Sequence, residues 1–167
     1  MGKPTKEELL QALAEAQRRI DNNVDHSGLA AVFLQQYRRY EELLELLEAV
    51  KTYFDRREDA RAHTILQEAS EKLRRTQHRP PADTSLRLAL SAAAQLRETG
   101  QDNFYLAKSL MNISYLLKSQ ERVWDAVRHY LHSGRAATEH ERLRQAYADA
   151  MREEHRTAGE DDDTAVP

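Results

Sequence analysis

Cysteine is absent from this chain of 167 residues. That excludes disulfides, thiolate nucleophiles, iron–sulfur ligation and zinc sites built on Cys, and it fits a reducing compartment. Glycine is scarce, with five in all, and no Gly-rich phosphate loop, H-E-x-x-H or G-x-S-x-G motif occurs. No stretch alternates apolar and polar residues with a period of two, and the few β-branched residues are scattered, so no strand is expected. Long apolar runs are missing as well. The most apolar segment, Leu43 to Val50, is interrupted by Glu45 and Glu48, and nothing reads as a membrane span. Met1 to Ile20 lacks the apolar run of a signal peptide, Glu7, Glu8 and Glu15 argue against a transit peptide, and Lys6 stands where a myristoylation motif needs Ser or Thr. The expected location is cytoplasmic.

Charge of one sign is lacking too: 28 acids face 25 bases. Four of the acids, Glu160 to Asp163, lie near the C-terminus and leave the remainder nearly neutral, without a field that would steer nucleic acid. Residues 157–167, poor in apolar side chains, read as a disordered acidic tail that serves solubility. Residues 1–156 read as a single all-helical domain, because a chain of this length buries about 70% of its unfolded surface and needs no staples.

What is present is helical spacing. Thr5 with Glu8 forms a capping box ahead of a helix from Lys6 to Asn22, with Leu9, Leu13, Ala16 and Ile20 on one face. Asp21 to Gly28 breaks it. A long second helix carries Phe33, Tyr37, Tyr40, Leu44, Leu47 and Phe54 and ends near Phe54; Asp55 with Glu58 suggests the next start, before Ala62, Leu66, Ala69 and Leu73. The loop at 77–84 holds Pro80 and Pro81, which cannot continue a helix. Leu86, Leu90, Ala93 and Leu96 follow, closed by Gly100 as a left-handed cap, and Asp102 or Asn103 opens the next helix. Between Phe104 and Ala136, the stripe Leu106, Leu110, Ile113, Leu117 gives way beyond Ser119 to Val123, Val127, Tyr130, Leu131, which reads as a helical hairpin. Gly134 closes it, and Thr138 with Glu141 is a third capping box before Leu143, Tyr147, Ala150 and Met151. The expected fold is all-α, with about seven antiparallel helices in hairpins.

Two regions resemble tetratricopeptide repeats, in which small and aromatic residues let paired helices nest. Tyr53, Ala62, Leu66 and Ala69 fall at that family's spacing, and Ile113, Ser114, Leu117, Ala126, Tyr130 and Ser133 match it again about 64 positions later, over about half of the chain. The helices then form either a tetratricopeptide-like stack or a closed bundle. The resemblance implies a concave surface that receives a peptide or partner helix, with Tyr37, Arg38, Arg39, Tyr40, Asn112 and Tyr115 as candidate contacts; Tyr and Arg are the residue types that anchor interfaces. Trp124, beside the Val123 and Val127 stripe, is a further candidate. Tyr37 and Tyr40 also suit a core, with the hydroxyl at its edge.

Other chemistries find less support. Asp125, His129 and His132 share one helix face, a ligand geometry that can be drawn, but a solvated helix side carries the same residues and no E-x-x-H pair accompanies them. No metal, cofactor or catalytic residue is assigned, and the chain reads as a non-enzymatic interaction module or adaptor. The alternative is a nucleic-acid-associated helical protein using the doublets Arg18–Arg19, Arg38–Arg39, Arg56–Arg57 and Arg74–Arg75, although neighbouring acids suit these for intrahelical pairs. A second copy of the chain is a third class of partner, with Tyr37, Tyr40, Leu44 and Leu47 as the seam of a homodimer.

Overall fold

A computed structural model describes residues 2–76 and 80–159. They form six α-helices: α1 (Lys6–Asp21), α2 (Leu29–Asp55), α3 (Ala60–Thr76), α4 (Asp83–Glu98), α5 (Leu106–His132) and α6 (Ala137–Gly159), with no strand among the described residues. Two compact units divide the chain. The first unit combines α1, α4, α2 as far as Arg39, α5 as far as Tyr115, and α6 from Arg156; the second combines α3, α2 from Tyr40, α5 from Leu116, and α6 as far as His155. No described helix is long and apolar enough to cross a membrane.

The six helices are two copies of a three-helix segment, 77 positions apart like Tyr53 and Tyr130. At that spacing Leu9 matches Leu86, Ala16 matches Ala93, Leu29 matches Leu106, Val50 matches Val127, His63 matches His140 and Leu66 matches Leu143. Helices α1 and α4 each have 16 residues, and α2 and α5 each have 27. The backbone repeats as closely. After α1, the N–H groups of Asn22, Asn23 and Val24 donate to the carbonyls of Arg18, Ile20 and Arg19; after α4, those of Thr99, Gly100 and Gln101 donate to Gln95, Arg97 and Leu96. Left-handed residues then match in position though not in kind: Asn23 (φ 53°) with Gly100 (φ 68°), and Gly28 (φ 72°) with Tyr105 (φ 59°). The Asp25 carboxylate accepts from the Ala30 and Ala31 N–H groups at 2.8 and 3.0 Å, and Asp102 accepts from Ala107 and Lys108, both at 2.9 Å. Each caps two donors that a helix start would otherwise leave unpaired. Each unit therefore draws the same segment from both copies.

Apolar burial follows the same plan. In α2, Leu29, Phe33, Leu43, Leu46, Val50 and Tyr53 are buried; in α5, Leu106, Leu110, Ile113, Leu116, Val123, Val127 and Tyr130 are. The second unit holds α3 antiparallel to α2, as the Lys72–Glu45 ion pair at 2.5 Å and the Tyr53–His63 ring contact at 6.3 Å require.

Four expectations need correction. The described residues contain six helices, not seven, because α5 runs unbroken through Ser119 where a hairpin was expected. The Ser119 hydroxyl donates to the Leu116 carbonyl at 3.0 Å, so this polar group is satisfied within the helix. Helix α5 passes from one unit to the other between Tyr115 and Leu116, a few residues before that change of stripe. Helix α3 is capped by Asp59, which accepts from the Arg61 N–H at 2.9 Å, rather than by Asp55. Thr138 lies inside α6, and Glu141 pairs with Arg144 at 2.6 Å instead of closing a capping box. The Thr5–Glu8 box is formed as expected, with bonds of 2.9 and 3.1 Å. Of the loop at 77–84, Gln77, His78 and Arg79 lie outside the described residues and Asp83 already begins α4. The acidic run Glu160 to Asp163 also lies outside them.

Asp25→Ala and Asp102→Ala each lower stability in urea denaturation by about 1 kcal/mol, and the double variant by about the sum. A loss at one site only would mean that the two caps do not act alike.

Candidate functional site

In the second unit, α2 and α5 bring their last turns together. Tyr53 and Tyr130 are both buried, and their hydroxyls share a hydrogen bond. The Tyr53 and Tyr130 rings lie 5.8 Å apart, with His63 of α3 at 6.3 Å from Tyr53 and His140 of α6 at 5.7 Å from Tyr130. Matching residues of the two copies thus meet at a local approximate two-fold, and the whole cluster is polar at its centre. Burial, reinforced by the Tyr53 hydrogen bond, pushes the Tyr130 hydroxyl up to about 12. Burial also pushes His63 and His140 below the ordinary imidazole value, helped by the nearby cations Arg135 and Arg57 respectively. His63 Nδ1 and His140 Nε2 are enclosed without a hydrogen-bond partner among the described residues. Enclosure of this kind disfavours the charged imidazole.

Around this cluster the two copies differ. On one side Phe54 fills the space between α2 and α6, packing edge-on against His140 at 5.6 Å and against Tyr147 at 5.6 Å. The matching positions on the other side are Leu131, His63 and Ser70. There a groove of about 660 Å³ lies between α3 and α5, lined by Ser70, Glu71 and Arg74 on one wall and by Arg128, Leu131 and His132 on the other. Arg74 is held on its own helix by Glu71, at 2.9 and 2.6 Å. Arg128 bonds Asp125 and lays its guanidinium over the Trp124 ring, 4.1 Å from the centroid. No family model matches this chain, and no curated protein or solved structure matches it either. The functional reading therefore rests on the geometry.

The residues singled out in the sequence are distributed over both units. Arg39, Tyr40 and Asn112 are 7%, 7% and 4% exposed, so their surface is already covered within the chain. Tyr37 packs on Phe33 with ring centroids 6.1 Å apart. Tyr115 is half-buried, and Arg156 both bonds its hydroxyl and lies 5.2 Å from its ring centroid. Arg38 is exposed. Of the homodimer stripe, Tyr40 and Leu47 are buried and Leu44 is exposed. His129 Nδ1 donates to the Asp125 carbonyl at 2.7 Å, and no group of three metal-binding side chains converges among the described residues. Sequence reading passed over His63 and Ser70, and set His140 only beside the His129 and His132 face, just beyond the turn. Comparing the chain with itself at the spacing of Tyr53 and Tyr130 would have found His63, because it matches His140.

Two outcomes test the cluster. Tyr53→Phe strands the Tyr130 hydroxyl in the core and costs about 1–3 kcal/mol in urea denaturation, whereas Tyr53→Phe/Tyr130→Phe costs less than the two single changes together; strict additivity would show that the hydroxyls are not coupled. Because both imidazoles have lowered pKa values when folded, the unfolded chain takes up protons first as pH falls. The stability they contribute is complete above about pH 6.5 and is lost as pH falls through that value. The Tm should therefore drop between about pH 7.5 and 5.5, and drop less in His63→Gln/His140→Gln. Glu15 and Glu71, held to about 2 first by hydrogen bonds from Arg18 and Arg74, titrate well below this range.

Proposed function

We propose that the chain is a non-enzymatic protein-interaction module of helical hairpins that binds a peptide or a partner helix along the groove between α3 and α5. The observation that carries this reading is the groove itself, an open slot of about 660 Å³ with walls from two helices, an apolar Leu131 and charged Arg74 and Arg128. A slot between two helices is a common means by which helical proteins receive a peptide, with apolar side chains for affinity and charges for orientation. The tetratricopeptide-like resemblance implies the same class of activity.

Charge placement speaks for protein over nucleic acid. Arg18 and Arg19 both bond Glu15 at 2.8 Å, and Arg74 and Arg75 both bond Glu71, at 2.6 and 3.1 Å. Pairs of this kind within a helix neutralise much of the charge that phosphate contacts need.

Affinity capture of the tagged chain from its host lysate, with and without nuclease, tests the reading. A protein partner should survive nuclease and be lost with Arg74→Glu/Arg128→Glu, two exposed positions where the fold has little at stake. Recovery that depends on nucleic acid, or that the double variant leaves intact, would falsify it.

A further inference from the structure

We infer that His63 and His140 form an acid-operated latch: in mildly acidic solution the starts of α3 and α6 come away from the Tyr53–Tyr130 pair while the helices of the first unit stay in place. The latch stands independently of the interaction reading, since it concerns only how these two helix starts are held. His63 lies in the first turn of α3 and packs on the Tyr53 ring at 6.3 Å. His140 lies in the first turn of α6 and packs on Tyr53 at 6.3 Å, Phe54 at 5.6 Å and Tyr130 at 5.7 Å. One nitrogen of each is enclosed, Nδ1 of His63 and Nε2 of His140, and neither has a hydrogen-bond partner among the described residues. A neutral imidazole tolerates this arrangement, because the enclosed nitrogen can be the unprotonated one while the other carries the hydrogen. A charged imidazole does not. Both of its nitrogens are donors, so the added proton places an N–H where no acceptor stands.

The neighbouring charges give little relief. His63 faces Arg135 of the α5–α6 turn, and His140 faces Arg57 of the α2–α3 turn together with Glu141 and Arg144 of its own helix. Glu141 is already bonded to Arg144, at 3.0 and 2.6 Å. The two tyrosine hydroxyls bond each other, and burial pushes that of Tyr130 up to about 12, so no tyrosinate is available to balance an imidazolium. Burial first, and then these arginines, lower both imidazoles in the closed form. Once the helix starts come away the rings regain their ordinary affinity for protons, so the open form takes up protons first. Closure is therefore complete above about pH 6.5 and is weakened as pH falls through that value. The response is local, because the other described histidines, His26, His129, His132 and His155, are exposed and gain charge in water.

Amide hydrogen exchange of the full chain, followed by mass spectrometry and corrected for the intrinsic pH dependence of exchange, reads the latch segment by segment. Between about pH 7.5 and about pH 5.5, residues 53–66 and 130–143 should lose protection by up to about ten-fold for each histidine. Residues 29–39 and 106–115 should keep theirs. His63→Gln/His140→Gln should remove the acid response of the first two segments, and His63→Gln alone should lessen it. Should the double variant not fold, NMR titration of the unaltered chain decides, with the His63 and His140 ring signals expected to titrate at lower pH than that of the exposed His26. An acid response of equal size in all four segments, no response in any, or a response retained by the folded double variant would each overturn the latch. So would His63 and His140 signals that titrate together with that of His26.

Discussion

A helix of 27 residues with apolar side chains on more than one side must be covered along its whole length, and α2 and α5 are two such helices. Neither can be covered by the short helices of its own copy alone. Each unit resolves this by taking matching segments from both copies, so that the buried residues of α2 have counterparts of α5 to share a core with. The contact of Tyr53 with Tyr130 is the most explicit result, since a residue meets its own counterpart. Burial of apolar area supplies the stabilisation, and the paired hydroxyls select one alignment, because a slipped helix would leave two buried oxygens without partners.

Duplication also explains where the molecule is free to differ. Positions at the centre of the second unit are kept in both copies, as with Val50 and Val127, Tyr53 and Tyr130, His63 and His140, Leu66 and Leu143. These lie where a change on one side must be matched on the other. One layer outward the constraint relaxes, and Phe54 and Tyr147 stand opposite Leu131 and Ser70. On one side two rings pack against each other, and on the other a groove remains. The asymmetry that the interaction reading uses is thus a departure from internal symmetry, visible only against the part that retains it.

Local signals were legible where a short piece of chain decides the outcome. The Thr5–Glu8 capping box, the left-handed Gly100 and Gly134 and the end of α2 just beyond Phe54 depend on residues within a few positions of each other. Reading failed where distant segments decide. The hairpin expected at Ser119 arose because a change of apolar stripe resembles a break, whereas α5 continues through it as one helix. Tyr40 and Asn112 have the chemistry of contact residues but lie inside the units. Trp124, beside its stripe, is neither core nor bare surface: it supports Arg128 at the rim of the groove.

The sequence by itself determined an all-helical chain, most helix ends, and the absence of Cys chemistry, because composition, capping and helical spacing act over a turn or two. Only the tertiary structure decided which helices cover which. It placed His63 and His140 beside the tyrosine pair and left a groove on one side of the second unit. The physical reason is that burial depends on residues far apart in the chain. A serine at position 70, which lines the groove, is unremarkable until Tyr147 is found in the matching place, packed against Phe54.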